Sequence, residues 1–342
     1  MTTDDLAAFT AGFEPAVTAE FRGHTIAKTG AWGQGPALLQ TLAILDGFDD
    51  EHLDPSSANG AHTILEAQKL ALADRDAYYG DADVPLDYLL SASYAAERRE
   101  LITDAASHEF RPGVVPGHSP YLPPLRVGST GLGEPTVTRA VSPTGVTRGD
   151  TCHIDVVDRW GNIVSATPSG GWLQSNPTIP ELGFCLGSRL QMTWLEPGWP
   201  ASLTPGRRPR TTLSPTLVLR DGRAITALGT PGGDQQDQWQ LPYLLRTIIG
   251  GYTPQQAIDA PILHSTSFPD SFWPRTWEPG GAVVEDRLGS ELIAALEARG
   301  HVVTRAGDWS LGRLSAVGIS AESGILWAAA NPRGAQGYAA GR

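Results

Sequence analysis

The feature that most constrains this chain is a break in its pattern. Between residues 111 and 149, Pro112, Pro116, Pro120, Pro123, Pro124, Pro135 and Pro143 alternate with glycines and hydroxyl residues, and apolar periodicity stops. Each proline fixes its own φ and removes a backbone donor, so neither a helix interior nor a central strand can run through this stretch. The segment reads as an exposed linker or a tethered loop. A loop of this length in a compact chain has a function or is disordered. It divides the 342 residues into two parts with different periodicities.

Before the break the chain leans helical. Residues 36–46 place Leu38, Leu39, Leu42 and Leu45 at helical spacing, with Pro36 at the start and Gly47 past the end. Residues 61–79 predict a second helix, with Ile64, Ala67, Ala71 and Tyr78 near one face and charged residues opposite. After the break the period shortens to that of strands. Cys152, Ile154 and Val156 alternate with His153, Asp155 and Val157, Arg159-Trp160-Gly161-Asn162 supplies a turn, and residues 163–166 return. Residues 216–219 lead into Asp221-Gly222, a strong hairpin signal, and residues 224–228 come back. Pro231-Gly232-Gly233 then breaks the chain before a helix running to Ile249, and Thr253-Pro254-Gln255-Gln256 has the form of a capping box. Residues 286–299 predict a further amphipathic helix, and residues 314–320 and 325–330 a last hairpin. Hairpins with helices grouped between them imply α+β layers around an antiparallel sheet.

Composition narrows the functions. Apolar content of 41% with ten Trp suits a folded globular chain. A net charge of −12 with scattered basic residues argues against nucleic acid or an anionic membrane as partner. Two cysteines, Cys152 and Cys185, make no disulfide framework, and the eight histidines form no HExxH. No apolar run is long enough to span a bilayer, and the acidic start Met-Thr-Thr-Asp-Asp has no apolar signal core, so the chain as written is expected to be cytoplasmic.

The chemistry concentrates where linker meets strand, in GDTCHIDVVDRWGN at residues 149–162. Cys152 reads as a small apolar residue on the strand, and His153 as a packing or capping residue with no acid partner at a sensible spacing. A break of the Asp150–Thr151 bond would give Thr151 a free α-amine beside its own hydroxyl. Such an amine titrates near neutrality, and a Thr hydroxyl is a weak nucleophile until a base of this kind activates it. The same hydroxyl could attack the carbonyl of Asp150 to give an ester that water opens, and Gly149 permits the tight junction this needs.

Several segments resemble, in order, the γ-glutamyltranspeptidase family of N-terminal nucleophile hydrolases. They are DLAAF at residues 5–9, FRGHTI at 21–26, EAQKLALADRDAYYGD at 66–81, GDTCHIDVVDRWGNIVSAT at 149–167, RPRTTLSPTLVLRDG at 208–222, GTPGGDQQ at 229–236, AIDAP at 257–261 and NPRGAQGYAAGR at 331–342. The resemblance implies an αββα four-layer sandwich and a precursor that cuts itself before Thr151. Residues 1–110 would then be the helical end of a large subunit, 111–150 a linker ending at the cleavage site, and 151–342 the small subunit. Thr151 is implied as nucleophile, Ser169 as a hydroxyl supporting it, Gly232 and Gly233 as oxyanion-binding backbone, and Thr211 and Thr212 as the pair that holds a substrate carboxylate. No metal or organic cofactor is implied. The implied partners are a γ-glutamyl or related acyl amide such as glutathione, with water or an amine as acceptor. After cleavage the two subunits would form a heterodimer, and two heterodimers could pair as a homodimer.

Departures from the family shape the expected specificity. Where the family has Thr-x-Asn this chain has Ser169-Gly170-Gly171, so an amide contact to substrate is missing. Where the family carries the acid that holds a glutamyl ammonium, this chain has residues 187–192 with Arg189, a charge suited to a carboxylate. An altered acyl specificity is expected, closer to the cephalosporin-acylase-like members. The family's large subunit also has a substantial part before the matched segment, so the sandwich is expected to be incomplete on its N-terminal side, with an exposed edge or core face. The alternative is a non-catalytic remnant of the fold.

Overall fold

The computed structural model describes residues 2–129, 151–170, 178–181, 183–185, 187, 189–320, 322–333 and 337–341. In chain order, β1 (Val17–Phe21) and β2 (His24–Lys28) form a hairpin, followed by helices α1 (Gly35–Leu45), α2 (Ala58–Tyr78) and α3 (Ala92–Arg99). After the proline-rich break come a short hairpin, β3 (Ile154–Val157) and β4 (Ile163–Ala166), and a longer one, β5 (Thr216–Arg220) and β6 (Arg223–Gly229). Helices α4 (Gln235–Ile248) and α5 (Pro254–Asp259) precede strands β7 (Leu263–Ser265) and β8 (Gly281–Val284). Helix α6 (Ser290–Ala298), strand β9 (Val302–Arg305) and the hairpin β10 (Ser315–Ile319) and β11 (Leu326–Ala330) follow.

The frame is a six-stranded sheet in the order β1-β2-β5-β6-β10-β11, antiparallel at every step. The β5–β6 turn is the expected one: Asp221 and Gly222 both take positive φ, at 51° and 74°, as a type I′ turn requires. The capping box at Thr253 forms as the sequence predicts. Between residues 286 and 299 a short 3₁₀ turn, Asp286–Leu288, precedes the helix, which starts only at Ser290.

The period-2 alternation of the strands sorts the core. Ile26, Val218, Leu228 and Ala316 face one side, where Leu38, Leu42, Ile64, Leu241 and Leu244 of the helices cover them. The opposite side is covered in part by the β3–β4 hairpin, which packs on β6 and β10. Beyond it, between β2–β5 and β4, a space of about 710 Å³ is lined by Ala27, Leu217 and Ser165, with Phe9 and Pro15 of the N-terminal segment. The far face of the hairpin carries Ile154, Val156 and Val164, each more than half exposed. The described residues thus form helix, sheet and hairpin layers of the expected mixed α/β architecture. An apolar strand face lies open on the hairpin. No helix among them is long and apolar enough to cross a membrane.

One expectation needs correction, and one open reading is decided. Helix α2 has no charged solvent face: Glu66, Lys69, Asp74, Arg75 and Asp76 are all buried. Lys69 Nζ of the helix itself lies 2.6 Å from Glu66, and neighbouring segments supply further counter-charges, with Arg111 Nη2 3.2 Å from Glu66 and Arg98 3.5 Å from Asp74. The first part of the proline-rich segment is a tethered loop, the second of the two readings its composition left open. Gly113 N–H donates to Asp74 Oδ1 at 2.6 Å, its carbonyl accepts from Tyr78 at 2.7 Å, and Val115 and Tyr121 are buried. The rest of that segment, with Gly149 and Asp150, lies outside the described residues.

Candidate active site

Thr151 sits at the head of β3, where Cys152 N–H donates to the carbonyl of Pro168 at 3.1 Å. That bond draws the two ends of the hairpin together. It places Thr151 Oγ1 2.6 Å from Ser169 Oγ. Arg189, in the 3₁₀ turn Arg189–Met192, donates through Nη2 to the same Ser169 oxygen. The turn is held from behind: Met192 is buried, and Arg275 donates to the carbonyls of Gln191 and Thr193 at 3.2 and 2.9 Å. Three residues singled out in the sequence therefore meet. Cys152 is a free thiol, only partly buried.

Thr151 opens onto a cleft of about 620 Å³ whose lining includes Asp155, Pro231, Arg313, Ser315 and Arg333. Pro231 brings the start of the Pro231-Gly232-Gly233 turn to this cleft. Gly232 has a φ of 131°, and a Cβ there would lie 3.1 Å from the Trp239 ring, so this position requires glycine. The carbonyl of Gly232 accepts from Gln236 Nε2 at 2.6 Å and that of Gly233 from Gln34 Nε2 at 3.4 Å, which fixes the turn. Thr211 and Thr212 are not part of the cleft lining. Both are buried, Thr211 N–H donates to the carbonyl of Trp32 at 2.8 Å, and Thr212 Oγ1 has no hydrogen-bond partner among the described residues. Gly171 and Ser188 lie outside the described residues.

His153 does have an acid partner. Residues 153 and 155 project to the same side of β3, toward the sheet, and His153 Nε2 lies 2.8 Å from Asp155 Oδ1 with both side chains buried. Nδ1 meets Thr167 Oγ1 at 2.8 Å, and Ser315 donates to Asp155 Oδ2 at 3.0 Å. The ring occupies the space left by the absent side chain of Gly229, where a Cβ would come within 2.2 Å of it. His153 is therefore the strut that seats the hairpin on the sheet, its polar face inward and its apolar face out.

Sequence reasoning missed a second buried network. Arg75 of α2 pairs with Asp234, the residue after the glycine turn, and donates to Gln34 Oε1 at 2.9 Å. Asp234 also accepts from Ser271 N–H at 2.8 Å and its hydroxyl at 2.6 Å. Arg210 bridges Asp76 and Ser271 at 2.8 and 2.9 Å. The network thus anchors the glycine turn and the Thr211–Thr212 segment to one helix. The available signal was adjacency, since Asp234 follows the glycines and Arg210 precedes the threonines. Close by, burial and then the charge of Asp234 push the Asp270 carboxyl up to about 8.

Among the described residues, His62, Glu66 and His301 bring buried ligand-type atoms within 4.8 Å of one another. Lys69 and Arg111 already neutralise Glu66 there, and a dication would face both cations. His62 Nε2 instead donates to the carbonyl of Thr103 at 2.7 Å, and its Nδ1 lies 2.9 Å from His301 Nε2.

The comparisons with known proteins agree with one another. The model of the family described as gamma-glutamyltranspeptidase matches residues 1–341. The chain is 31% identical to the glutathione hydrolase-like YwrD proenzyme of Bacillus subtilis, over 98% of this chain and 57% of that protein. It superposes on the solved structure of LmbA2991HD with a TM-score of 0.90 and 55% identity, over 100% of this chain and 58% of that one. A cephalosporin acylase from Bacillus halodurans superposes with a TM-score of 0.79 and 26% identity, over 99% of this chain and 55% of that one. The chain spans less than three fifths of the length of these relatives.

Proposed function

The chain belongs to the gamma-glutamyltranspeptidase family, and from that premise we propose that it is an N-terminal threonine amidohydrolase or acyltransferase that cuts itself between Asp150 and Thr151. The observation that carries this reading is the 2.6 Å contact of Thr151 Oγ1 with Ser169 Oγ at the head of a strand that opens onto a cleft. After the cut, the α-amine of Thr151 takes the hydroxyl proton as Oγ1 bonds to the acyl carbon of an amide. The resulting oxyanion is met by backbone N–H groups of the Gly232–Gly233 turn. The C–N bond then breaks and the amine returns the proton to the departing nitrogen, leaving an ester on Thr151. Water or an acceptor amine attacks that ester, gives its proton to the α-amine, and the proton passes back to Oγ1 as the ester bond breaks.

The substrate class is a γ-glutamyl or related acyl amide. Arg189, in place of an acid that would hold an ammonium, favours an acyl group without that charge. The relatives' names, glutathione hydrolase proenzyme and cephalosporin acylase, bracket this range. The large portion would be residues 1–150 and the small portion 151–342. A denaturing gel with intact masses of both pieces tests the proposal. Two pieces meeting at Asp150/Thr151, replaced by a single intact chain in Thr151→Ala, are expected. A parent chain that stays intact, with no amide cleavage, refutes it.

A further inference from the structure

Resting on the reading of Thr151 as nucleophile, we propose that Arg189 is a positioning residue for that hydroxyl, acting through Ser169 rather than by holding the substrate. A guanidinium carries only donors, so in the Arg189–Ser169 contact the Ser169 oxygen accepts. Ser169 keeps its own hydrogen to donate, and in the proposed series it goes to Thr151 Oγ1, 2.6 Å away. The series runs one way: Arg189 N–H to Ser169 oxygen, Ser169 O–H to Thr151 Oγ1, and the Thr151 hydrogen to its own amine. A hydroxyl that accepts from a cation is a stronger donor than one that does not.

The series acts at the two moments when Oγ1 carries charge. One is when its proton has moved to the amine and its bond to the acyl carbon is forming. The other is when that bond breaks and Oγ1 keeps the electron pair before the amine returns the proton. Arg189 gives up no proton in either step. The contact of Arg189 Nη1 with Met192 Sδ at 3.7 Å, the burial of Met192 and the hold of Arg275 on the turn set the guanidinium in place before substrate arrives.

The test is the nitrophenolate burst from 4-nitrophenyl acetate on the processed protein, with the Thr151→Ala background subtracted. The small neutral acetyl group offers Arg189 no carboxylate, so the burst reports the nucleophile alone. Arg189→Gln is expected to lower the limiting burst rate by about 10- to 100-fold, the range of one charge-assisted hydrogen bond, with half-saturating ester changed less than about two-fold. Arg189→Lys should recover most of the rate. In a Ser169→Ala background, Arg189→Gln should change the rate less than about two-fold, because the connection is already cut. Arg189→Met serves in place of Arg189→Gln if circular dichroism shows that variant unfolded. An unchanged limiting rate with weakened ester saturation, or a full additional loss in the Ser169→Ala background, overturns the proposal. A parent protein with no Thr151-dependent burst overturns the nucleophile assignment beneath it.

Discussion

Gly229 gives the sharpest test of how the strand that follows Thr151 is held. A Cβ at this position would lie 2.2 Å from Cε1 of His153 and 2.7 Å from both ring nitrogens, far inside contact distance. In Gly229→Ala the ring must leave, because the clash is with a side chain that can rotate while β6 is paired on both sides. Leaving breaks the bonds to Thr167 and to Asp155, both 2.8 Å. A neutral hydrogen bond contributes about 0.5–1.5 kcal/mol and one to a charged group about 1.5–3. Alanine returns about 0.4–1 kcal/mol by restricting the unfolded chain. The net expectation is a loss of about 1.5–3.5 kcal/mol, read from urea unfolding midpoints at constant m. Cutting before Thr151 should slow as well, since His153 lies two residues from the scissile bond. The decisive arm is His153→Ala. In that background the clash partner is gone, and Gly229→Ala should be neutral or slightly stabilising. If the two substitutions add, or if Gly229→Ala alone is neutral, the packing of the ring on Gly229 is not what seats the hairpin.

Other outcomes follow from the buried charges. Asp234→Ala takes from buried Arg75 one of its two carboxylates, leaving Asp76 at 3.3 Å, and should cost about 3–5 kcal/mol in unfolding free energy, with catalysis falling further as the glycine turn loosens. Asp234→Ala losing no more stability than a surface substitution would refute this. Burial, then the charge of Lys69, lowers the His301 imidazole to about 2, and burial lowers His62 as well. Both folded values lie below the unfolded one, so the stability they contribute is present above about pH 6.5 and is lost as pH falls. His301→Gln, which keeps a donor toward His62, should flatten the acid side of a stability–pH curve by up to about 1.4 kcal/mol per pH unit below 6.5. Parallel curves for parent and variant would show that His301 does not titrate on unfolding.

What was legible in the sequence was local. The Asp221-Gly222 turn, the Thr253 capping box and the helices around residues 36–46 and 61–79 rest on backbone preferences that act within a few residues. The neighbourhood of Thr151 was legible because it opens a strand hairpin directly after the proline-rich break, and that hairpin returns to Ser169. The misreadings came from distance. The charges of α2 were assigned to solvent because their partners Arg98, Arg111, Arg210 and Asp234 lie up to 159 residues away. The His153–Asp155 pair was overlooked although its spacing of two is the strand period itself. The apolar Ile154 and Val156 lie on the outer face, each more than half exposed. The contact of Arg189 with Ser169 was not legible either, since only the folded turn brings the two together.

The distribution of contacts across residue 150 bears on the order of events. Strand β2 pairs with β5, and Arg75 pairs with Asp234, so each side of a cut at Asp150/Thr151 supplies strands and buried charges to the other. Neither piece contains the whole six-stranded sheet. In the uncut chain the two are tethered, and their meeting is intramolecular. After the proposed cut it would depend on concentration, with the translational entropy of a second molecule to overcome. A chain cut there would have to find its complement to refold, whereas an uncut one would carry both halves. On that proposal, assembly is encoded in the uncut chain, and the cut is a one-way passage that removes the means of repeating it.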